Sequence, residues 1–139
     1  SRAVLLPVAL AESASEHAVF VEQGNSGNSV LNKAIDIADA KGAQLKKVVH
    51  SARLDDLLWP LAARTRAAPI VRLLKLDVQG FELRVLRGAT ALLEARAIQS
   101  IVFEVAPLWL HGQGTSTLEL FNLLRSFGFG LWRHGQPQS

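Results

Sequence analysis

The stretch Ile70 to Val78 (IVRLLKLDV) constrains the fold more than any other part of the chain. It follows Pro69, shows little polar alternation and stops just before Gly80, the pattern of a parallel strand covered on both faces. A parallel strand needs a crossover connection, and the residues after Gly80 supply one. Leu83, Leu86 and Leu93 interleave with Glu82, Arg84 and Arg87 as in a helix, with a break or step expected at Gly88. Ser100 to Val105 (SIVFEV) reads as a further buried strand. Ser116 and Glu119 have the spacing of a capping box ahead of the apolar stripe Leu120, Leu123, Leu124 and Phe127. Gly128 stops that helix, and Phe129 to Arg133 makes a last strand before a polar tail. The alternation of strand and helix over 70 to 133 predicts an α/β sheet with crossover helices.

The first half is read from shorter signals. Ala3 to Leu10 (AVLLPVAL) has the length and setting of a strand, and His17 to Val21 makes a shorter second one. Gln23 to Ser29 (QGNSGNS) concentrates turn formers and predicts an exposed loop. Leu31, Ile35 and Ala38 recur at helical spacing, with Gly42 as the C-cap. Leu45 to Arg53 is read as a strand, and Leu54 to Leu61 as a helical turn that Pro60 ends or kinks. No repeat or linker divides residues 1–139, which form one domain able to bury roughly two-thirds of its unfolded surface.

Composition removes several classes of function. The absence of cysteine excludes disulfides, thiolate metal sites and cysteine nucleophiles. The 15 basic and 12 acidic side chains are dispersed, so the net charge of +3 describes a solvated surface and implies no nucleic-acid partner. His17, His50, His111 and His134 lack ligand spacing, and no metal site is expected of them; His111 is read as a solvated loop histidine. No apolar stretch approaches the roughly 20 residues of a membrane span, so a soluble, cytoplasmic protein without a membrane segment is expected. Neither a G-x-S-x-G elbow nor a phosphate-binding P-loop occurs. The chain has no methionine and opens directly into a strand-like run, which suggests a fragment.

In an open α/β sheet, ligands bind outside the carboxyl ends of the strands, where helix N-termini converge. Asp77 closes the best strand, Glu82 opens the next helix and Glu104 ends the following strand, so the three carboxylates can share one mouth. One would take a proton from a substrate hydroxyl while the others orient the substrate or hold a divalent cation. Helix capping accounts for Glu82 equally well, because the backbone dipole alone favours a carboxylate in a first turn. A charge at Glu104 needs a partner, and Lys75 is a candidate for one. The segment Gly24-Asn-Ser-Gly27 offers backbone amides to an anion, a weaker and separate reading.

Residues 75 to 89 (KLDVQGFELRVLRGA) resemble the signature of FkbM-type methyltransferases, K-I-D-V-E-G-x-E-x-x-V-L-x-G-A, matching at Lys75, Asp77, Gly80, Glu82, Val85, Leu86, Gly88 and Ala89. LLPVALAES at 5 to 13, LDDLL at 54 to 58, SIVFEV at 100 to 105 and FGFGLWR at 127 to 133 resemble flanking parts of that family. Gln79 stands where the family carries a glutamate. The resemblance implies a class I, Rossmann-like methyltransferase sheet of order 3-2-1-4-5-7-6, here its C-terminal part, lacking the first two strands with the glycine-rich turn and ribose-binding acid. Those strands would lie between Ala3–Leu10 and Ile70–Val78, so the two runs are expected to pair directly or to be buried against another chain, with self-association through exposed strand edges. The resemblance further implies S-adenosylmethionine as cofactor, O-methylation of a small metabolite or glycan, Asp77 and Glu82 as catalytic residues, and Ala9 and Leu10 bordering the adenine. A non-catalytic remnant or interaction domain is the alternative.

Overall fold

The computed structural model describes residues 3–22, 25–31, 44–65, 69–133 and 135–137. Along the chain these form β1 (Ala9–Leu10), β2 (Glu16–Glu22), β3 (Asn25–Leu31), β4 (Gln44–Ala52), α1 (Leu54–Thr65), β5 (Leu74–Leu76), α2 (Glu82–Arg87) and α3 (Thr90–Glu94). There follow β6 (Ile101–Phe103), α4 (Pro107–Gly112), α5 (Thr117–Ser126), β7 (Trp132–Arg133) and β8 (Gln136–Pro137). The α/β class is as expected, but among the described residues the strands form three separate sheets. One has four strands in the order β1-β4-β2-β3, one is the parallel pair β5-β6, and one is the hairpin β7-β8.

The loop expected at Gln23 to Ser29 is overturned, because Asn25–Leu31 is a strand antiparallel to β2, with Val19 opposite Leu31 and Glu22 opposite Asn25. A ladder to a neighbouring strand satisfies the backbone of these Asn, Ser and Gly residues, and that outweighs their turn preference. Gln23 and Gly24 lie outside the described residues, as does the helix expected after Leu31. The strand expected over Ala3 to Leu10 shrinks to its last two residues. Pro7 lacks the donor a ladder needs, and Val4 and Leu5 are exposed. Pro60 does not end α1, which continues to Thr65; Leu54, Leu58 and Trp59 pack into the core and hold the helix across the missing donor.

The strand expected over Ile70 to Val78 is confined to Leu74–Leu76, preceded by a single bridge between Val71 and Ile98. Its parallel partner is β6, in the register Leu74–Ile101, Lys75–Val102 and Leu76–Phe103. Coverage of both faces is a second correction: Leu76 is buried, whereas Lys75 and Val102 are exposed. Alternation of side chains puts those two on the face that carries no helix among the described residues. Nor do β1 and β5 pair directly. β1 is hydrogen-bonded parallel to β4, Ala9 opposite Ser51 and Leu10 opposite Ala52. Leu10 and Leu74 pack against the same two core clusters, but no ladder joins the two strands among the described residues.

The crossover from β5 to β6 is made of α2 and α3, stepped at Gly88 as the sequence predicts. Phe81, Leu83, Val85 and Leu86 are almost wholly buried and join Leu110, Leu120 and Leu124 from α4 and α5 in one cluster. The capping box also forms: Glu119 N donates to Ser116 Oγ at 3.2 Å, and Ser116 Oγ donates to Glu119 Oε2 at 2.9 Å. Asp55 of α1 performs the same service at a distance. Helix α3 has no side-chain cap of its own, and its first amides, Ala91 N and Leu92 N, donate to Asp55 Oδ2 and Oδ1 at 3.1 and 3.0 Å. Arg53 Nη2 lies 2.7 Å from the same carboxylate, and Asp55 is 4% exposed. Asp55→Ala therefore strips a half-buried ion pair and a cap together. A loss of about 3 kcal/mol in chemical denaturation is expected, and a loss within about 0.5 kcal/mol would contradict this account.

Candidate active site

The segment from 76 to 82 folds so that two carboxylates near the carboxyl end of β5 face opposite environments. Leu76 anchors it in the core and Asp77 emerges into solvent. Gln79 and Gly80 then turn the chain back at φ +47° and +92°, and Phe81 N donates to Val78 O at 3.1 Å. Only glycine fits position 80, where a Cβ would stand 2.5 Å from the backbone carbonyl of Trp109.

Asp77 keeps acceptor capacity on the surface. Gln79 Nε2 donates to its Oδ1 at 3.2 Å, and Lys75 Nζ lies 3.7 Å from Oδ2. Gln79 therefore supplies a donor to Asp77, where a glutamate would add a second negative charge. With both partners largely exposed, the lysine pair contributes little stability, but it sets a positive charge beside the carboxylate. Glu82 is the inner group, 2% exposed, with Oε1 accepting from Gly80 N at 3.2 Å and Oε2 buried without a partner among the described residues. Burial raises its pKa; the backbone amides of Glu82, Gly80 and Val78 pull it down, and the charge of Asp77 adds a smaller upward push. Glu82 thus holds the turn through one oxygen, and burial makes charge on its carboxyl costlier than on an exposed glutamate.

Because the folded protein holds this proton more tightly than an ordinary glutamate, whose value is 4.5, the native state binds more protons than the unfolded chain between that pH and the raised value. The contribution of Glu82 to stability falls as pH rises from about 4.5 through the raised value. Glu82→Gln removes that slope. The variant's melting temperature, relative to the parent's, is expected to improve between about pH 4 and about pH 7. A pH-independent difference in differential scanning fluorimetry would contradict the assignment.

The remaining expected site residues are dispersed. Glu104 is exposed beyond β6, and Lys75 pairs with Asp77 instead of with it. His111 is exposed in the last turn of α4 and not in a loop. Among the described residues no three His, Asp or Glu side chains gather as a ligand set. Ala9 and Leu10 are half-buried, and Ala11, which follows them, lies against Gly88 at the far end of α2 from Glu82. A six-residue helix puts about 9 Å between those ends.

Long-range polar contacts around α2 were not legible in the sequence. Arg84 Nη1 meets Glu12 Oε1 at 2.8 Å and Arg84 Nη2 donates to Gln113 O at 3.0 Å, while Arg87 lies 3.7 Å from Glu12 and 3.6 Å from Glu119. Arg84 also sits over the Phe81 ring, and the imidazole of His17 meets that ring edge-on with the centroids 5.4 Å apart. These contacts tie the loop after β1 to the helix that begins with Glu82. The family model for the methyltransferase FkbM domain matches residues 4–131.

The chain belongs to the FkbM methyltransferase family. No curated protein and no solved structure shows a significant match to it. Seen as an FkbM signature, residues 75 to 89 divide into two jobs. Gly80, Leu86, Gly88 and Ala89 are wholly or almost wholly buried and serve packing, whereas Lys75 and Asp77 face solvent beside the buried carboxyl of Glu82.

Proposed function

We propose that this chain is the acceptor-side, C-terminal part of a class I, Rossmann-like methyltransferase that O-methylates a hydroxyl on a small metabolite or glycan. The observation that carries this reading is the pairing of an exposed carboxylate at the end of β5 with a buried carboxyl one turn later. Family membership supports methyl transfer as the chemistry.

S-adenosylmethionine, when bound, supplies an electrophilic methyl group. The half-buried, apolar Ala9 and Leu10 suit the face of its adenine, and the carboxylates at the other end of α2 suit a hydroxyl acceptor. Asp77 accepts the hydroxyl proton at a carboxylate oxygen as the oxygen becomes a nucleophile, or orients the hydroxyl by accepting its hydrogen bond. Glu82 holds the 78–82 turn through Gly80 N and so fixes the position of Asp77. Positioning of the hydroxyl does most of the work in such an in-line displacement. Exposed Ile70, Leu73 and Val102 near the β5-β6 pair favour contact between copies, which sedimentation at rising concentration reads out.

Calorimetric titration with S-adenosylmethionine tests the reading. Micromolar binding is expected of a competent methyltransferase. Loss of binding even when the chain is assayed within its natural polypeptide would leave the non-catalytic remnant as the better account.

A further inference from the structure

A cavity of about 540 Å³ opens at the amino end of β6, the end opposite Asp77 and Glu104. Its size is that of a small-ligand site. The walls are the start of β6, the turn after α3 and the segment after α5, and the side chains with chemistry to offer are Arg96, Gln99, Ser100, Phe127, Phe129 and Trp132. Arg96 is the only charged residue of the lining, and it forms no ion pair among the described residues.

The backbone does not need an arginine there. Helices α3 and α5 end in the same hydrogen-bond pattern: Ala97 N to Leu92 O and Arg96 N to Leu93 O in one, Phe129 N to Leu124 O and Gly128 N to Arg125 O in the other. The left-handed residue that this ending requires is Gly128 at φ +84° after α5, the usual choice, but Arg96 at φ +52° after α3. A side chain is disfavoured in that conformation, whereas a cation is favoured at the carbonyl end of a helix, so the position carries a positive charge at a backbone cost and without an ion pair of its own among the described residues. Trp132 is 69% exposed, and its indole Nε1 lies 3.4 Å from where a Cβ on Gly130 would stand, so the ring runs along the wall that Gly130 leaves open.

We propose that this cavity binds a saccharide bearing a carboxylate. The guanidinium of Arg96 takes the carboxylate as a two-pronged partner. The exposed indole of Trp132 stacks on the C–H face of the sugar ring, and Gln99, Ser100 and the carbonyl end of α5 exchange hydrogen bonds with its hydroxyls. A neutral sugar leaves the guanidinium unpaired, and an aromatic acid has no hydroxyls for the carbonyls. The site lies at the other end of β6 from the proposed methyl-transfer residues, and its existence does not depend on that reading.

The test is titration of the chain, by tryptophan fluorescence and calorimetry, with a disaccharide ending in glucuronic acid, the same disaccharide ending in glucose, and benzoate. Saturable binding of the uronide at least about tenfold tighter than of either control is expected. Arg96→Gly places glycine where the backbone favours it, so its melting temperature should equal or exceed the parent's while its affinity for the uronide drops about tenfold or more. Trp132→Ala should weaken binding and abolish the fluorescence response. No saturation by the uronide, equal binding of a control, or parental affinity in either variant overturns the proposal.

Discussion

Gly88→Ala is expected to cost about 4 kcal/mol, enough to leave a small domain largely unfolded at temperatures the parent tolerates. The backbone angles give no warning of this. Gly88 sits at φ −76° and ψ −2°, where alanine is at home, and replacing glycine there would ordinarily stabilise by reducing the freedom of the unfolded chain. The obstacle is a neighbour: a Cβ at this position would lie 2.0 Å from the carbonyl oxygen of Ala11 and 2.9 Å from its carbon. Both belong to backbone, so no rotamer change relieves the contact. Ala11 itself is 2% exposed and follows β1, whose ladder to β4 continues through Ala11 N to Ala52 O at 3.1 Å. Retreat of Ala11 would break that ladder; retreat of Gly88 would break Asp55 N to Gly88 O at 3.0 Å. Gly114→Ala is the control. It has φ +71° but nothing within 4 Å of a new Cβ, so only conformational strain of about 1 kcal/mol is expected. Thermal unfolding followed by circular dichroism compares the two, and a Gly88→Ala chain as stable as Gly114→Ala would show that the junction of β1 with α2 is looser than described.

Both glycines of the signature show why part of this fold was readable and part was not. The helical stripes of α2, α3 and α5, the step at Gly88 and the Ser116 cap depend on residues within a few positions of one another, and local spacing is what sequence patterns encode. The neighbour that Gly88 must admit is Ala11, far away in the chain, and Asp55 caps a helix that begins with Thr90. Neither pairing leaves a periodic trace. The N-terminal half failed differently. Asn25–Leu31 has the composition of a turn and becomes a strand because β2 lies beside it, while Val4 and Leu5 have the composition of a strand and gain no ladder. The neighbour β2, which a single sequence does not carry, decided the first, and Pro7, which has no donor for a ladder, decided the second. At the candidate site, Asp77 and Glu82 were legible from their places around Gly80, but their unequal exposure was not. Arg96 gave no signal at all, since its left-handed conformation and the cavity beside it exist only in three dimensions.

Asp77→Asn is expected to lower methyl-transfer turnover by roughly 10² to 10⁴ while leaving stability within about 1 kcal/mol of the parent. The substitution preserves shape, and the asparagine oxygen can still accept from Gln79 Nε2, the contact seen at 3.2 Å. What disappears is the negative charge beside Lys75, an exposed pair of small energetic weight, and the lone-pair basicity that would receive a hydroxyl proton. A base acts only as the proton moves, so the loss should fall on kcat with KM nearly unchanged, whereas a purely substrate-binding Asp77 would shift KM. The readout is transfer of a labelled methyl group from S-adenosylmethionine to a mixture of hydroxylated acceptors, with melting temperature recorded on the same samples. Glu82→Gln provides the contrast. Its carboxyl is buried and holds a proton more tightly than an exposed glutamate does, so the amide should reduce turnover less than Asp77→Asn does, acting through the turn that carries Asp77. If Asp77→Asn retains parental turnover and Glu82→Gln does not, the proton acceptor is the inner carboxyl. If both retain it, proximity alone carries the reaction and neither carboxylate is catalytic.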